Sequence, residues 1–196
     1  MAKTYNVQEI QNAILATREG SDYFLLSYPP KRRMNDVSRL IWDFKENQPQ
    51  AIKVVLEILL PKFSDWEKQL RRNDHCSHIV AIPGHEQGKQ NAACEAVAAT
   101  LCGKFHWLER LPNSLRRIKS VPKASHAASY QERPKYADHL KSIKYFGPKV
   151  SKGASIVMLD DVFTTSETSS ACRDILIEHS GCAGVIGLFV GRTLND

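Results

Sequence analysis

The stretch Ile156-Val157-Met158-Leu159-Asp160-Asp161-Val162-Phe163-Thr164-Thr165-Ser166-Glu167-Thr168 decides how this chain of 196 residues is read. Four apolar residues in a row predict a buried parallel strand, with two adjacent carboxylates at its carboxyl end and a hydroxyl-rich turn behind them. Ser169-Ser170-Ala171-Cys172-Arg173-Asp174-Ile175-Leu176 then opens a helix. In open α/β sheets, ligands bind outside the carboxyl ends of the strands, where the first N–H groups of the next helix point outward. Those amides and the threonine hydroxyls suit a phosphate. The paired acids suit sugar hydroxyls or, through water, a metal. The combination fits a phosphorylated ribose.

The same residues resemble the phosphoribosyl-diphosphate (PRPP) signature of type I phosphoribosyltransferases: an apolar strand, two acids, two apolar residues, then Thr-Thr-Gly-x-Thr. The resemblance implies that Asp160 and Asp161 contact the ribose 2′- and 3′-hydroxyls. It also implies that Thr164, Thr165, Ser166, Glu167 and Thr168 form the 5′-phosphate loop. Two positions depart from the pattern. Phe163 is bulkier than the usual aliphatic residue, and Ser166 stands where the family has glycine. Glycine permits positive φ and close backbone approach to a ligand, so Ser166 is expected to strain or widen the loop.

Competing readings of the acidic strand are weaker. A Walker B segment needs a P-loop, and Gly84-His85-Glu86-Gln87-Gly88-Lys89-Gln90 is one residue short between its glycines and ends in Gln. A response-regulator pocket would carry its paired acids after the first strand. Plain structural turn chemistry stays open.

Composition agrees with one α/β domain over residues 1–196. A hydrophobic content of 42% suits a chain that buries roughly 70% of its unfolded surface. No apolar run approaches the ~18 residues of a membrane span, and Met1-Ala2-Lys3-Thr4-Tyr5-Asn6 lacks the apolar core of a signal peptide. The five cysteines, Cys76, Cys94, Cys102, Cys172 and Cys182, form no C-x-x-C pair. That argues for a reducing compartment and a cytoplasmic protein. His75, Cys76 and His78 sit too close together for a complete metal site and are read as structural.

Charge is unevenly spread. Residues 110–152 hold eleven Lys or Arg and two acids, a net of +9, so the rest of the chain sums to −3 against the overall +6. A solvated basic loop explains most such runs. Two functional readings compete with it: closure over a pyrophosphate, whose charge calls for several cationic donors, and contact with nucleic-acid phosphates. The resemblance favours the first, because the family carries a catalytic hood just before the signature strand. Lys119, Lys123, His126 and Arg133 are the hood candidates.

Elsewhere the pattern predicts an amphipathic helix over Asn6 to Arg18, a strand over Tyr23–Tyr28 stopped by Pro29-Pro30, and a helix capped at Asp36 or Ser38. A further helix starts at Pro49. Ile79–Pro83 reads as a second buried strand, followed by a Gly84–Gly88 loop and an Ala-rich helix from Asn91 to Leu101. Phe105–Leu108 and Val185–Val190 read as strands. Alternating strands and helices imply a largely parallel sheet flanked by helices, with residues 1–74 mainly helical, 75–196 the sheet core, and the hood inserted at about 110–140. In the family, the loop corresponding to 83–88 holds the pyrophosphate, so Gly84, His85 and Gly88 are assigned there, the glycines by freeing backbone amides.

Within the class, the order of features is most similar to the ComF-like, amidophosphoribosyltransferase-related branch over about residues 23–192. The four-cysteine zinc module of ComF proteins is absent, as is an N-terminal glutaminase-type cysteine. The resemblance implies displacement of pyrophosphate from C1 of PRPP by an unidentified acceptor, with Mg²⁺ as the cofactor and no all-protein metal site. A homodimer is one further partner reading. The alternative function is a catalytically inactive protein of this fold that binds nucleic acid, through residues 110–152, or a protein partner.

Overall fold

The computed structural model describes residues 4–28, 35–122, 129, 132–164 and 166–193. In chain order the elements are α1 (Val7–Asn12), β1 (Ile14–Glu19), β2 (Asp22–Tyr28), α2 (Asp36–Lys45), α3 (Pro49–Lys68, running on as a π-turn over Gln69–Asn73) and β3 (Cys76–Ala81). There follow α4 (Ala92–Lys104), β4 (Glu109–Arg110), β5 (Leu115–Arg117), α5 (Tyr136–Ser142), β6 (Ile143–Tyr145), β7 (Ser155–Phe163), α6 (Glu167–Ser180) and β8 (Gly184–Thr193).

Six strands form one sheet in the order β1-β2-β8-β7-β3-β4, parallel throughout except for the antiparallel edge pair β1 and β2. β5 and β6 form a separate antiparallel ribbon. The expected α/β architecture, a largely parallel sheet flanked by helices, is the one observed.

The apolar run of β7 exists because both faces of the sheet are covered. Val157 and Leu159 join Ile79, Ala81, Leu188 and residues of α2, α3 and α4 in one cluster. Ile156 and Met158 join Val80, Phe189, residues of α6 and the β5–β6 ribbon in the other. Ile156, Met158 and Leu159 are fully buried, and each such side chain contributes roughly 1.5–3 kcal/mol. Replacing Leu159 by Ala would remove about 2–5 kcal/mol.

Helix starts follow the capping rules. Asn35, rather than Asp36 or Ser38, caps α2, its Oδ1 accepting the Ser38 N–H at 2.8 Å. Pro49 opens α3, where its missing N–H has no consequence. Asn91 caps α4 by accepting from Cys94 N–H at 3.3 Å.

Two further expectations need correction. The helix read over Asn6–Arg18 ends at Asn12; Ile14–Glu19 instead forms β1, because pairing with β2 satisfies its backbone and outweighs a short helix's weak propensity. Phe105–Leu108 is not a strand: the Phe105 N–H donates to Leu101 O and closes α4, and the two-residue β4 begins only at Glu109. β7 carries the two acids in its last four residues, ending at Phe163.

The order of connections positions the site. From β3 the chain moves outward to β4, then returns across β3 to place β7 on its other side. That reversal is a topological switch point, where the loops after β3 and β7 diverge and where open α/β sheets bind their ligands.

Candidate functional site

The two acids lie where β7 outruns its neighbour. Pairing with β3 reaches Ala81 opposite Leu159, and Ile82 N–H donates to Leu159 O at 2.9 Å. Pairing with β8 continues through Asp160, Val162 and Phe163. Asp160 and Asp161 therefore stand past the end of the β3 ladder, at the switch point.

Adjacent strand residues point to opposite faces, and the acids meet different partners. Asp161 turns toward α2 and α4, with Lys45 Nζ 3.4 Å from its Oδ1 and Asn91 Nδ2 donating to its Oδ2 at 3.2 Å. Asn91 thus caps α4 and holds an acid with the same amide. Asp160 lies on the α6 and ribbon side, within electrostatic reach of Arg117 and Cys172, and its Oδ1 accepts the Asp161 N–H at 2.8 Å. Burial, and then the charge of Asp161, push the Asp160 carboxyl well above its ordinary range, against the opposing pull of that N–H, Lys45 and Arg117. Burial also raises the thiols of Cys94 and Cys172 beneath the acids, so neither is a thiolate nucleophile.

The loop after β3 is closed by internal bonds. Gly84 N–H donates to Lys89 O at 3.1 Å, and Gly88 N–H to Arg117 O at 2.9 Å. The glycine amides expected to be free for a ligand are therefore engaged within the protein. Glycine is required at 88 for the turn itself, since φ there is +72°. The His85 side chain is partly exposed beside Glu86, with 3.4 Å between Nε2 and Oε1. Val121 N–H donates to His85 O at 3.0 Å, and Gln87 N–H to Ser120 Oγ at 2.8 Å, so the segment after β5 is laced onto this loop.

The start of α5 clasps the β7–α6 turn. Tyr136 N–H donates to Glu167 Oε2 at 2.8 Å, and its hydroxyl bonds Asp174. Glu167, assigned to the phosphate loop, thus holds the start of α5. Ser166 is the N-cap of α6 with φ +56° and ψ −8°, a left-handed conformation unfavourable to a residue with a Cβ, and its side chain makes no capping bond. The strain anticipated from serine in place of glycine has this backbone counterpart.

Between the two loops lies a buried polar chain that sequence reasoning missed. Arg117 is 2% exposed. Its Nε donates to Gly84 O at 2.5 Å, its Nη1 to Ser142 Oγ at 2.6 Å, and its Nη2 approaches His139 Nδ1 at 3.4 Å. On the far side of the imidazole, Nε2 lies 3.1 Å from Thr168 Oγ1. Burial, then the charge of Arg117, lower the His139 pKa to about 4, so the ring is neutral at pH 7. Arg117 was visible in the sequence as one cation of a basic run, and nothing in that run marked it as the buried one. Lys45, Asn91 and His139 carried no signal, because each reaches the site from a separate element.

Of the remaining candidates, Thr164 and Lys119 are exposed and Arg133 is partly buried. Thr165, Lys123 and His126 lie outside the described residues. Among the described residues, no group of three or more His, Cys, Asp or Glu side chains is arranged to hold a metal ion, and no helix is long and apolar enough to cross a membrane.

No family model matches the chain, and no curated protein does. Among solved structures, adenine phosphoribosyltransferase from Leishmania tarentolae is similar with a TM-score of 0.45 and 14% identity, covering 90% of this chain and 94% of that one. A likeness that weak assigns no chemistry to this chain.

Proposed function

We propose that this chain is a type I phosphoribosyltransferase-like protein that binds PRPP between the β3 and β7 loops. The observation that carries this reading is the acid pair at a topological switch point, flanked by a glycine turn on one side and the start of α6 on the other. Asp161, oriented by Lys45 and Asn91, accepts a ribose hydroxyl, and Asp160 meets the neighbouring one. Thr164, Thr165, Ser166 and Thr168 surround the 5′-phosphate. The Gly84–Gly88 turn with His85 faces the pyrophosphate, together with hood cations drawn from Lys119, Lys123, His126 and Arg133.

In the reaction, a bond forms between the acceptor's nucleophile and C1 of the ribose. The bond from C1 to the pyrophosphate oxygen breaks, and the leaving group departs with the electron pair while the acceptor loses its proton. The protein's part is positioning and stabilisation of the leaving charge. Mg²⁺ fits the hard carboxylate donors of Asp160 and Asp161, but Lys45 and Asn91 already engage Asp161, so the ion would be held largely by ligand oxygens and water. When bound, it would neutralise diphosphate charge. Calorimetric titration with PRPP, with and without Mg²⁺, should show saturable binding that Asp160→Asn with Asp161→Asn abolishes. A folded wild-type protein that gives no PRPP heat under either condition would refute the reading.

One observation favours a second activity on the same fold, contact with single-stranded nucleic acid. On the β5–β6 ribbon, Arg116 stands directly opposite Lys144, both exposed, although like charges so placed are destabilising. Beside them Phe146 is 53% exposed, with the Arg116 guanidinium 5.0 Å from its ring centroid. Cations next to an exposed ring suit a phosphate backbone and a stacked base. Titration with a homopolymeric oligonucleotide at several salt concentrations tests this: a steep salt slope, flattened by Arg116→Ala with Lys144→Ala, is expected.

A further inference from the structure

Thr168 belongs to the proposed 5′-phosphate loop, and its hydroxyl is bonded from behind by a histidine whose own partner leaves it one protonation state. Arginine has donors and no acceptor. The approach of Arg117 Nη2 to His139 Nδ1 at 3.4 Å therefore requires Nδ1 to be the bare, accepting nitrogen. The neutral ring must then carry its proton on Nε2, which donates to Thr168 Oγ1 at 3.1 Å. A hydroxyl that accepts on its oxygen from one side keeps its own hydrogen for the other. We propose that Arg117 and His139 act as positioning residues that fix Thr168 as a hydrogen-bond donor to a phosphate monoester bound in the β7–α6 turn.

The reading rests on the phosphate-binding assignment of that turn and extends it to residues of the hood. It explains why a charged side chain is buried at this point: a guanidinium anchored by Gly84 O and Ser142 Oγ holds the imidazole in one tautomer. It also links the two loops through three side chains, with Arg117 on the β3 side and Thr168 on the β7 side. The other charged groups near the ring, Asp138 on its own helix and Glu167 on α6, favour the imidazolium but are outweighed by burial and Arg117.

Two measurements test it. The imidazole ¹⁵N spectrum of the wild-type protein at pH 7 should show His139 protonated on Nε2 with Nδ1 bare; protonation on Nδ1, or a doubly protonated ring, would overturn the proposal without reference to any ligand. Ribose 5-phosphate is the binding probe. His139→Leu and Thr168→Val should each weaken its binding about tenfold, and the double variant should be no weaker than either. His139→Gln, whose amide can accept from Arg117 and donate to Thr168, should recover most of the loss. Wild-type affinity in folded His139→Leu, or fully additive losses, would overturn the relay. If His139→Leu fails to fold, the spectrum and the comparison of His139→Gln with Thr168→Val still decide. A wild-type protein that ignores ribose 5-phosphate would instead sink the phosphate-loop assignment, leaving the tautomer to be judged by the spectrum alone.

Discussion

The two faces of the sheet treat adjacent acids in opposite ways. On the α2–α4 face, Asp161 meets Lys45, whose side chain is 41% exposed, and the amide of Asn91. On the α6–ribbon face, Asp160 is desolvated near a guanidinium that is itself buried. One acid is held by partners that water can replace. The other is desolvated beside a buried polar network, that of Arg117, where every unmet bond has a large energetic consequence. Sequence neighbours can thus be exchangeable in chemistry and unlike in energetics, because a strand sends them to different solvents.

The sharpest break in that comparison should come from Arg117→Met. It leaves Gly84 O, Ser142 Oγ and His139 Nδ1 without their donor, at a loss of about 3–5 kcal/mol in denaturant unfolding. Lys45→Met should lose only about 0.5 kcal/mol, since an exposed ion pair contributes little. Equal losses would show that the two faces do not differ as described.

Acid titration gives the next largest effect. The folded-state pKa of His139 is depressed from 6.5 to about 4. Its contribution is therefore fully present above pH 6.5 and is lost as the pH falls toward 4, amounting to about 3 kcal/mol at most. His139→Gln should flatten that part of the stability profile, as followed by urea unfolding at closely spaced pH values. An unchanged slope would mean that other groups govern this window.

Asp160 and Asp161 should then separate. The Asp160 pKa is raised, so its contribution is greatest below the ordinary carboxylate range and is lost as the pH climbs through the folded value. Asp160→Asn should accordingly raise the melting temperature at pH 7 while weakening PRPP binding. Asp161→Asn should lower stability by about 0.5–1 kcal/mol, through its bonds to Lys45 and Asn91. Both variants moving stability in the same direction would contradict the two-faced picture.

The smallest effect belongs to Ser166. Glycine there relieves a φ of +56°, partly offset by the greater freedom of the unfolded chain, for a net gain of about 0.5 kcal/mol. If the strained turn opposes ligand entry, Ser166→Gly should also tighten ribose 5-phosphate binding. Unchanged or weaker binding would show a loop adapted to serine.

Much of this architecture was written in local pattern. The unbroken run Ile156–Leu159 required a strand covered on both faces, Pro49 and Asn91 marked helix starts, and a turn with serine for glycine implied positive φ. Each follows from a few neighbouring residues and the period of one element. The edge strand β1 and the turn at Phe105 were misread for the converse reason: short segments take their conformation from what they pair with or terminate.

The sequence by itself determined the alternation of strands and helices, the acid pair behind an apolar strand, and the concentration of positive charge at residues 110–152. Tertiary structure alone decided which members of that basic run are buried, and that Lys45 and Asn91 converge on one acid. It likewise joined Arg117, His139 and Thr168, which lie 22 and 29 residues apart, into one hydrogen-bonded chain between the two loops. The physical reason is that periodicity reports which way a side chain points from its own element. Which charged groups lose water together depends on how separate elements pack.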